Sequence, residues 1–162
     1  MFIQQLLDAL AGAGVAYCVV GGVAVNLHGV PRMTYDIDVM VAMTRANLAA
    51  CDATLVALGL RIRLPIRLVD AADRAVAEAW ETERNLIAVT YTDPSNPLRE
   101  VDILIAPSLR PDEVVGRAVM VGKGVRVATV GDLIALKRKA NRPQDLADIT
   151  HLERLVGRLV SP

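Results

Sequence analysis

Hydrophobic positions along the chain follow two periods, which predict helices alternating with short strands. Ile3, Leu6, Leu7 and Leu10 recur at helical spacing and predict an amphipathic first helix. Continuous or alternating apolar runs predict strands over 15–20, 35–41, 60–64, 85–92, 100–105, 119–121 and 125–128. Helical spacing predicts further helices over 23–28, 45–58, 70–83 and 130–140, and a last one after Pro143 to about 160.

The order of these elements predicts the fold class. Strands alternate with helices early in the chain and pair locally later, as in the two segments separated by the turn-rich DPSNP. We expect an α/β (α+β) fold with a mixed β-sheet flanked by helices. Its core would span about 15–128, and a C-terminal helical pair about 129–160. The length of 162 residues predicts one domain over 1–162.

Composition and charge exclude several classes of protein. Hydrophobic residues make up 53% and charged residues 22%, which is far from the composition of a disordered chain. No apolar run reaches the roughly 18 to 20 residues of a membrane span, and no basic segment precedes the first apolar stretch. Cys18 and Cys51 lie in apolar elements and are predicted to be buried thiols of a cytoplasmic protein.

The balance of charge limits nucleic-acid binding. Eighteen basic and eighteen acidic residues give no net charge, and five aromatic residues are too few for a base-stacking surface. Any RNA partner would need a local basic track, for which Arg61, Arg63, Arg67 and the basic residues of 137–142 are candidates.

Two aspartates interrupt the apolar strand predicted over 35–41. Asp36 and Asp38 are two positions apart, so on a strand their side chains leave the same face. Burial and like-charge repulsion disfavour such a pair unless a cation compensates. Oxygen ligands favour Mg²⁺ or Mn²⁺, so the spacing predicts a divalent metal site. A solvated acidic face on an edge strand is the alternative.

A glycine pair ends the strand before this aspartate pair. Gly21 and Gly22 lack Cβ atoms, so their backbone could approach a phosphate beside the carboxylates, helped by the helix that follows. An ordinary turn is the alternative. Arg32, in the next turn, is a candidate for binding phosphate charge or is an ordinary surface arginine, and Thr34 is a candidate for binding a phosphate oxygen or capping the strand.

A third carboxylate, Asp102, alternates with Val101 and Ile103 on a later strand. If that strand pairs beside the strand of Asp38, the three carboxylates converge as metal ligands and a general base. A salt bridge from Asp102 to Arg99 is the alternative, and Glu100 is a second candidate for the third acid.

The stretch GGVAVNLHGVPRMTYDIDVMV (21–41) resembles the signature of the nucleotidyltransferase-fold superfamily, with glycines after one strand and Asp-x-Asp on the next. It looks most like the minimal nucleotidyltransferases and the abortive-infection (AbiEii-like) toxins. The segment GDLIALKRKANRPQDLADITHL (131–152) is similar to the helical ending of that toxin-like group. By that resemblance, Lys137 would contact the triphosphate, and Asp145, or Asp148 in its place, would orient it or the acceptor.

The resemblance implies a Mg²⁺-dependent enzyme that transfers a nucleoside monophosphate from an NTP to an acceptor hydroxyl. Asp36, Asp38 and Asp102 would hold the metal, and Lys137 would join them in catalysis. The acceptor would be tRNA, a protein or a small molecule, and the chain could be the toxin of a toxin–antitoxin pair with a cognate antitoxin. A non-catalytic binding module on the same scaffold is the alternative.

Overall fold

The structure, a computed structural model, describes residues 2–122 and 124–160, with side chains to 157. Its helices are α1 (Phe2–Gly12), α2 (Gly21–Leu27), α3 (Arg45–Ala57), α4 (Arg74–Arg84), α5 (Pro111–Arg117), α6 (Val130–Ala140) and α7 (Pro143–Val160). Its strands are β1 (Tyr17–Val19), β2 (Ile37–Val41), β3 (Arg61–Ile62), β4 (Ala88–Asp93), β5 (Asn96–Leu104), β6 (Val119–Val121) and β7 (Val125–Val127).

The strands of the described residues form one mixed sheet in the order β3-β4-β5-β2-β1-β7-β6. Strand β2 pairs in parallel with β5, and β1 pairs in parallel with β7, whereas the other neighbouring strands pair antiparallel. None of the helices described here is long and apolar enough to cross a membrane.

Alternation along the central strands sends apolar and polar side chains to opposite faces. Val39 on β2 and Val101 and Ile103 on β5 are fully buried in the hydrophobic core. Asp38 and Asp102 occupy the intervening positions and are only partly buried. The same period that builds the core therefore delivers carboxylates to the opposite face of the sheet.

The mixed sheet flanked by helices confirms the predicted fold class. Some boundaries differ: β2 begins at Ile37, so Asp36 lies in the preceding loop, and β3 is limited to Arg61–Ile62. Helix α5 was not predicted, because a helix of seven residues is too short to show a clear repeat of apolar positions. Its acidic first turn and its basic residue in the last turn are nevertheless helix signals.

Asn47, in the first turn of α3, ties this helix to the sheet. Its Nδ2 donates to the carbonyl oxygens of Ala16 at 3.0 Å and Ala42 at 2.8 Å, while its Oδ1 accepts from the Ala16 N–H at 2.8 Å. These backbone groups lie next to β1 and β2. One side chain therefore satisfies three polar groups at the ends of two central strands.

Replacing Asn47 with Ala should lower the free energy of unfolding by about 2 kcal/mol, because three hydrogen bonds to the backbone of Ala16 and Ala42 are lost. Urea denaturation measures the change. The control is Gln5→Ala, an exposed position on α1, which should change stability by less than about 0.5 kcal/mol. Equal stability of the two variants would show that Asn47 does not anchor α3.

Candidate functional site

The parallel pairing of β2 with β5 places two of the predicted acidic residues side by side. Asp38 is in register with Asp102, and Thr90 on β4 is the neighbour of Asp102 on its other side. The Thr90 hydroxyl donates to Asp102 Oδ1 at 2.6 Å. Arg99 pairs with Asp93 at 3.3 Å, so the salt bridge considered for Asp102 is absent from the described contacts.

The surroundings of Asp38 disfavour its charged form. Burial raises the pKa of Asp38 to about 6, with further contributions from the negative charges of Asp102 and Asp36. The positive charges of Arg142 and Lys137 act in the opposite direction but do not outweigh these effects. The carboxylates therefore form a centre of excess negative charge, which a cation would stabilise.

Gly21 lies directly against this centre. It is the first residue of α2 and has a φ of +62°, a conformation that glycine adopts without steric cost. A Cβ atom at this position would lie 1.9 Å from Asp38 Oδ2. The absence of a side chain at Gly21 is thus what allows the backbone and the Asp38 carboxylate to meet.

The space over Gly22 is occupied by the chain itself. A Cβ atom on Gly22 would lie 2.7 Å from Thr34 Oγ1 and 2.9 Å from Arg32 Cζ. Arg32 also donates through Nη1 to Asp148 Oδ2 at 2.8 Å. The second glycine therefore makes room for two of the predicted phosphate-binding residues.

Five charged residues, which we call the ion cluster, connect this loop to α6 and α7. Lys137 Nζ lies 2.7 Å from Asp148 Oδ2 and 3.4 Å from Asp145 Oδ1. Arg142 Nε lies 2.8 Å from Asp145 Oδ2, and Arg32 completes the cluster through Asp148. Lys137, Asp145 and Asp148 are buried. The cluster thus joins residues that are more than one hundred positions apart in sequence.

The two cations around Asp145 keep its carboxylate ionised. Burial opposes ionisation, but hydrogen bonds from Arg142 and the charges of Arg142 and Lys137 outweigh it and lower the pKa of Asp145. A carboxylate buried without such partners would be protonated or strongly destabilising.

A cleft of about 630 Å³ opens between the carboxylate centre and the C-terminal helices. Asp38 and Gly21 border it on the sheet side, and Lys137, Arg142 and Asp145 border it on the helical side. Much of its remaining lining is apolar and includes Ile87, Leu104, Leu109, Leu133 and Leu136. A concave site with apolar walls and a few charged groups suits a small organic ligand with an ionic part.

The donor set of this centre is compatible with a hard divalent cation. Asp38 and Asp102 contribute carboxylates from neighbouring strands. Burial first, and the neighbouring carboxylates second, raise the pKa of Asp38, and a cation would offset both effects. Asp36 is exposed. Within the described part of the chain, no three His, Cys, Asp or Glu side chains form a preformed metal site. A metal would therefore require adjustment of Asp36.

Other predicted residues are engaged away from the cleft. Glu100 pairs with Arg63 at 3.3 Å, and Arg67 pairs with Asp70 at 2.7 Å. Arg61 donates to the carbonyl oxygens of Val56 and Leu60. The three arginines considered for an RNA track, Arg61, Arg63 and Arg67, therefore form hydrogen bonds or ion pairs with nearby groups of the protein.

Sequence reasoning did not single out Thr90, and it considered Arg142 only among the basic residues of 137–142. Thr90 supports Asp102 from the neighbouring strand, and Arg142 brings a guanidinium to the cleft. Thr90 carries no motif, so only the strand register reveals it. Arg142 immediately precedes the predicted start of the last helix, and its spacing of three residues from Asp145 is a usable signal.

The sheet order and flanking helices define a nucleotidyltransferase-like fold. The chain is similar to a solution structure of the antibiotic-resistance factor ANT(2'')-Ia, with a TM-score of 0.59 and 16% identity over 98% of this chain and 82% of that one. A crystal structure of ANT(2'')-Ia in complex with adenylyl-2''-tobramycin gives a TM-score of 0.60 and 16% identity over 99% and 88% of the chains. Comparisons with protein-family models and with curated proteins found no match.

Gly21→Ala should be strongly destabilising, because the new Cβ would overlap Asp38 Oδ2 and the residue would keep a positive φ. We expect a loss of at least about 2 kcal/mol in the free energy of unfolding, measured with urea. Gly116→Ala on α5 is the matched control. A Cβ there meets nothing within 4 Å, so this variant should be neutral or up to about 1 kcal/mol more stable. A Gly21→Ala protein as stable as this control would contradict the close approach.

Proposed function

We propose that the protein is a nucleotidyltransferase that moves a nucleoside monophosphate from an NTP to an acceptor hydroxyl with Mg²⁺ as cofactor. The observation that carries this proposal is the parallel register of Asp38 with Asp102 beside a cleft whose opposite wall is cationic. Fold similarity to ANT(2'')-Ia and the resemblance of 21–41 to nucleotidyltransferase motifs support it.

The metal would be held by Asp36, Asp38 and Asp102. When bound, Mg²⁺ would neutralise charge on the triphosphate and lower the pKa of the acceptor hydroxyl. Mn²⁺ has similar ligand preferences and is the alternative ion.

In the proposed reaction, the acceptor oxygen attacks the α-phosphorus, the bond to the bridging β-phosphate oxygen breaks, and pyrophosphate leaves. Asp102 accepts the hydroxyl proton. Thr90 donates to Asp102 Oδ1 and so holds the carboxylate in one orientation, with Oδ2 available for the proton. This arrangement gives the third carboxylate a role distinct from that of Asp36 and Asp38.

The triphosphate would lie between the carboxylate centre and the ion cluster. Gly21 and Gly22 are proposed to bring backbone close to it, with Arg32 and Thr34 packed over Gly22. Lys137 and Asp145 border the same cleft and are proposed to supply charge and orientation there. The apolar side chains of the cleft would surround the nucleobase.

A small hydroxylated molecule is the acceptor class that we propose first, because one structural neighbour was solved with adenylyl-2''-tobramycin. Transfer to tRNA or to a protein, and a role as the toxin of a pair with a cognate antitoxin, rest on the resemblance alone. We propose a cytoplasmic location, which the buried free thiols of Cys18 and Cys51 support.

Pyrophosphate release tests the proposed function directly. The protein is incubated with each NTP, Mg²⁺ and separate pools of aminoglycosides, tRNA and cell protein. The acceptor that has gained the nucleoside monophosphate is then identified. We expect pyrophosphate release that depends on one acceptor pool. Binding of NTP and Mg²⁺ without transfer to any pool would instead favour a non-catalytic binding module.

Mg²⁺ with NTP should raise the melting temperature, because a ligand that binds only the native state stabilises it by about 2.7 kcal/mol at one hundred times its Kd. Asp36→Asn/Asp38→Asn should abolish the shift while leaving the metal-free protein at least as stable, since repulsion around Asp38 is removed. Asp8→Asn/Glu83→Gln removes two exposed charges elsewhere and should retain the shift. A normal shift in the first double variant would place the cation elsewhere.

Asp102→Asn should reduce transfer at least about a hundredfold but change NTP affinity only a few-fold, because a general base acts mainly in the transition state. Single-turnover rates and equilibrium binding measure the two effects. Thr90→Val removes only the hydrogen bond to Oδ1 and should have the smaller kinetic effect. If a folded Asp102→Asn protein turns over normally, Asp102 is not the base, and Glu100 does not replace it because Glu100 pairs with Arg63 away from the cleft.

A further inference from the structure

Lys137 and Arg142 are the two cations of the ion cluster that border the cleft, and their surroundings differ. Lys137 is 5% exposed, and its ammonium group faces Asp145 and Asp148 at 3.4 and 2.7 Å. A lysine in this position cannot turn toward a ligand without leaving two buried carboxylates with one cation fewer. Breaking a buried ion pair in this way is strongly unfavourable.

Arg142 has the opposite environment. Its side chain is 73% exposed, although Asp145 engages Nε at 2.8 Å and Nη2 at 3.3 Å. A guanidinium group has five N–H donors, and Asp145 takes only part of them. The planar group is thus oriented by Asp145 on one edge and exposed on the others, which is the geometry that suits bidentate contact with phosphate oxygens.

The charge of the ion cluster points to the same residue. Three cations, Arg32, Lys137 and Arg142, face two carboxylates, so the cluster carries a net charge of plus one. Arg142 is by far the most exposed of the three. The surplus positive charge is therefore presented at Arg142, on the opposite wall of the cleft from Asp38.

The turn between α6 and α7 limits the movement of Arg142. Asn141 ends α6 in the left-handed conformation with φ of +51°, and Pro143 begins α7. The Arg142 N–H also donates to Asp145 Oδ2 at 3.1 Å. Backbone and side chain of Arg142 are thus held by the same carboxylate, so little ordering would be needed on binding.

We propose that Arg142 contacts the triphosphate of the nucleotide directly, and that Lys137 is a positioning residue that holds Asp145 and, through it, the Arg142 guanidinium. This assignment rests on the proposed nucleotidyl transfer. It deepens that proposal by naming the residue that distinguishes a nucleoside triphosphate from a monophosphate.

The test compares the binding of ATP and AMP in the presence of Mg²⁺ by calorimetry. Arg142→Gln should weaken ATP binding by about ten- to a hundredfold, the effect of losing a charge-assisted contact, and change AMP binding less than about threefold. Arg142→Lys keeps the charge and should recover part of the ATP affinity. Arg138→Gln removes an arginine from the same region of α6, where it pairs with Glu153, and should bind ATP like the wild type.

A second variant separates positioning from direct contact. Lys137→Met should lower the melting temperature strongly, because Asp145 and Asp148 lose a shared cation. Where it remains folded at low temperature, its ATP affinity should fall less than that of Arg142→Gln. A selective loss of ATP binding in Lys137→Met with normal binding in Arg142→Gln would reverse the assignment.

The outcomes distinguish this inference from the proposed function. Wild-type protein that binds none of the four NTPs with Mg²⁺ would overturn both. Wild-type protein that binds ATP, with Arg142→Gln and Arg142→Lys both binding it equally well, would overturn only the role of Arg142. If Arg142→Gln does not fold, Arg142→Lys carries the test, since it retains a cation beside Asp145 and should still bind ATP more weakly than the wild type.

Discussion

The burial of Asp38 beside other carboxylates is the constraint around which this site is built. Asp38 and Asp102 are adjacent because β2 and β5 pair in register. Burial makes the charge of Asp38 costly, and the negative charges of Asp102 and Asp36 add to that cost. Positive groups on the opposite wall of the cleft reduce that cost without cancelling it. Under the proposed function, a bound cation would neutralise the remaining imbalance, and a metal–triphosphate would satisfy both walls at once.

The ion cluster stabilises the opposite wall by a different balance. Its two buried carboxylates would be unfavourable alone, and each is compensated by cations from separate segments of the chain. Such an arrangement makes the position of α7 dependent on α6 and on the loop that carries Arg32. The same side chains therefore determine both the stability of the fold and the charge of the cleft. Variants must be measured for binding and for stability to separate the two effects.

Fold similarity to ANT(2'')-Ia covers nearly the whole chain, yet at 16% identity it describes the scaffold. The functional argument comes from this chain's own residues. The proposed phosphoryl transfer rests on a hydrogen-bonded Asp102 beside Asp38, a glycine packed against Asp38 and a cationic wall across the cleft. The apolar part of the cleft adds a surface that a nucleobase could occupy.

The sequence by itself determined the fold class and most helices and strands, because hydrophobic period and turn glycines are local signals. It offered the approach of Gly21 to the aspartates only as one of two alternatives. It left Asp102 conditional, since strand pairing is a long-range choice. Only the tertiary structure showed Thr90 beside Asp102 in the sheet, the packing of Arg32 and Thr34 over Gly22, and the ion pairs of Lys137 with two carboxylates. Partners so distant in sequence are selected by the free energy of burying charges together, which no local pattern records.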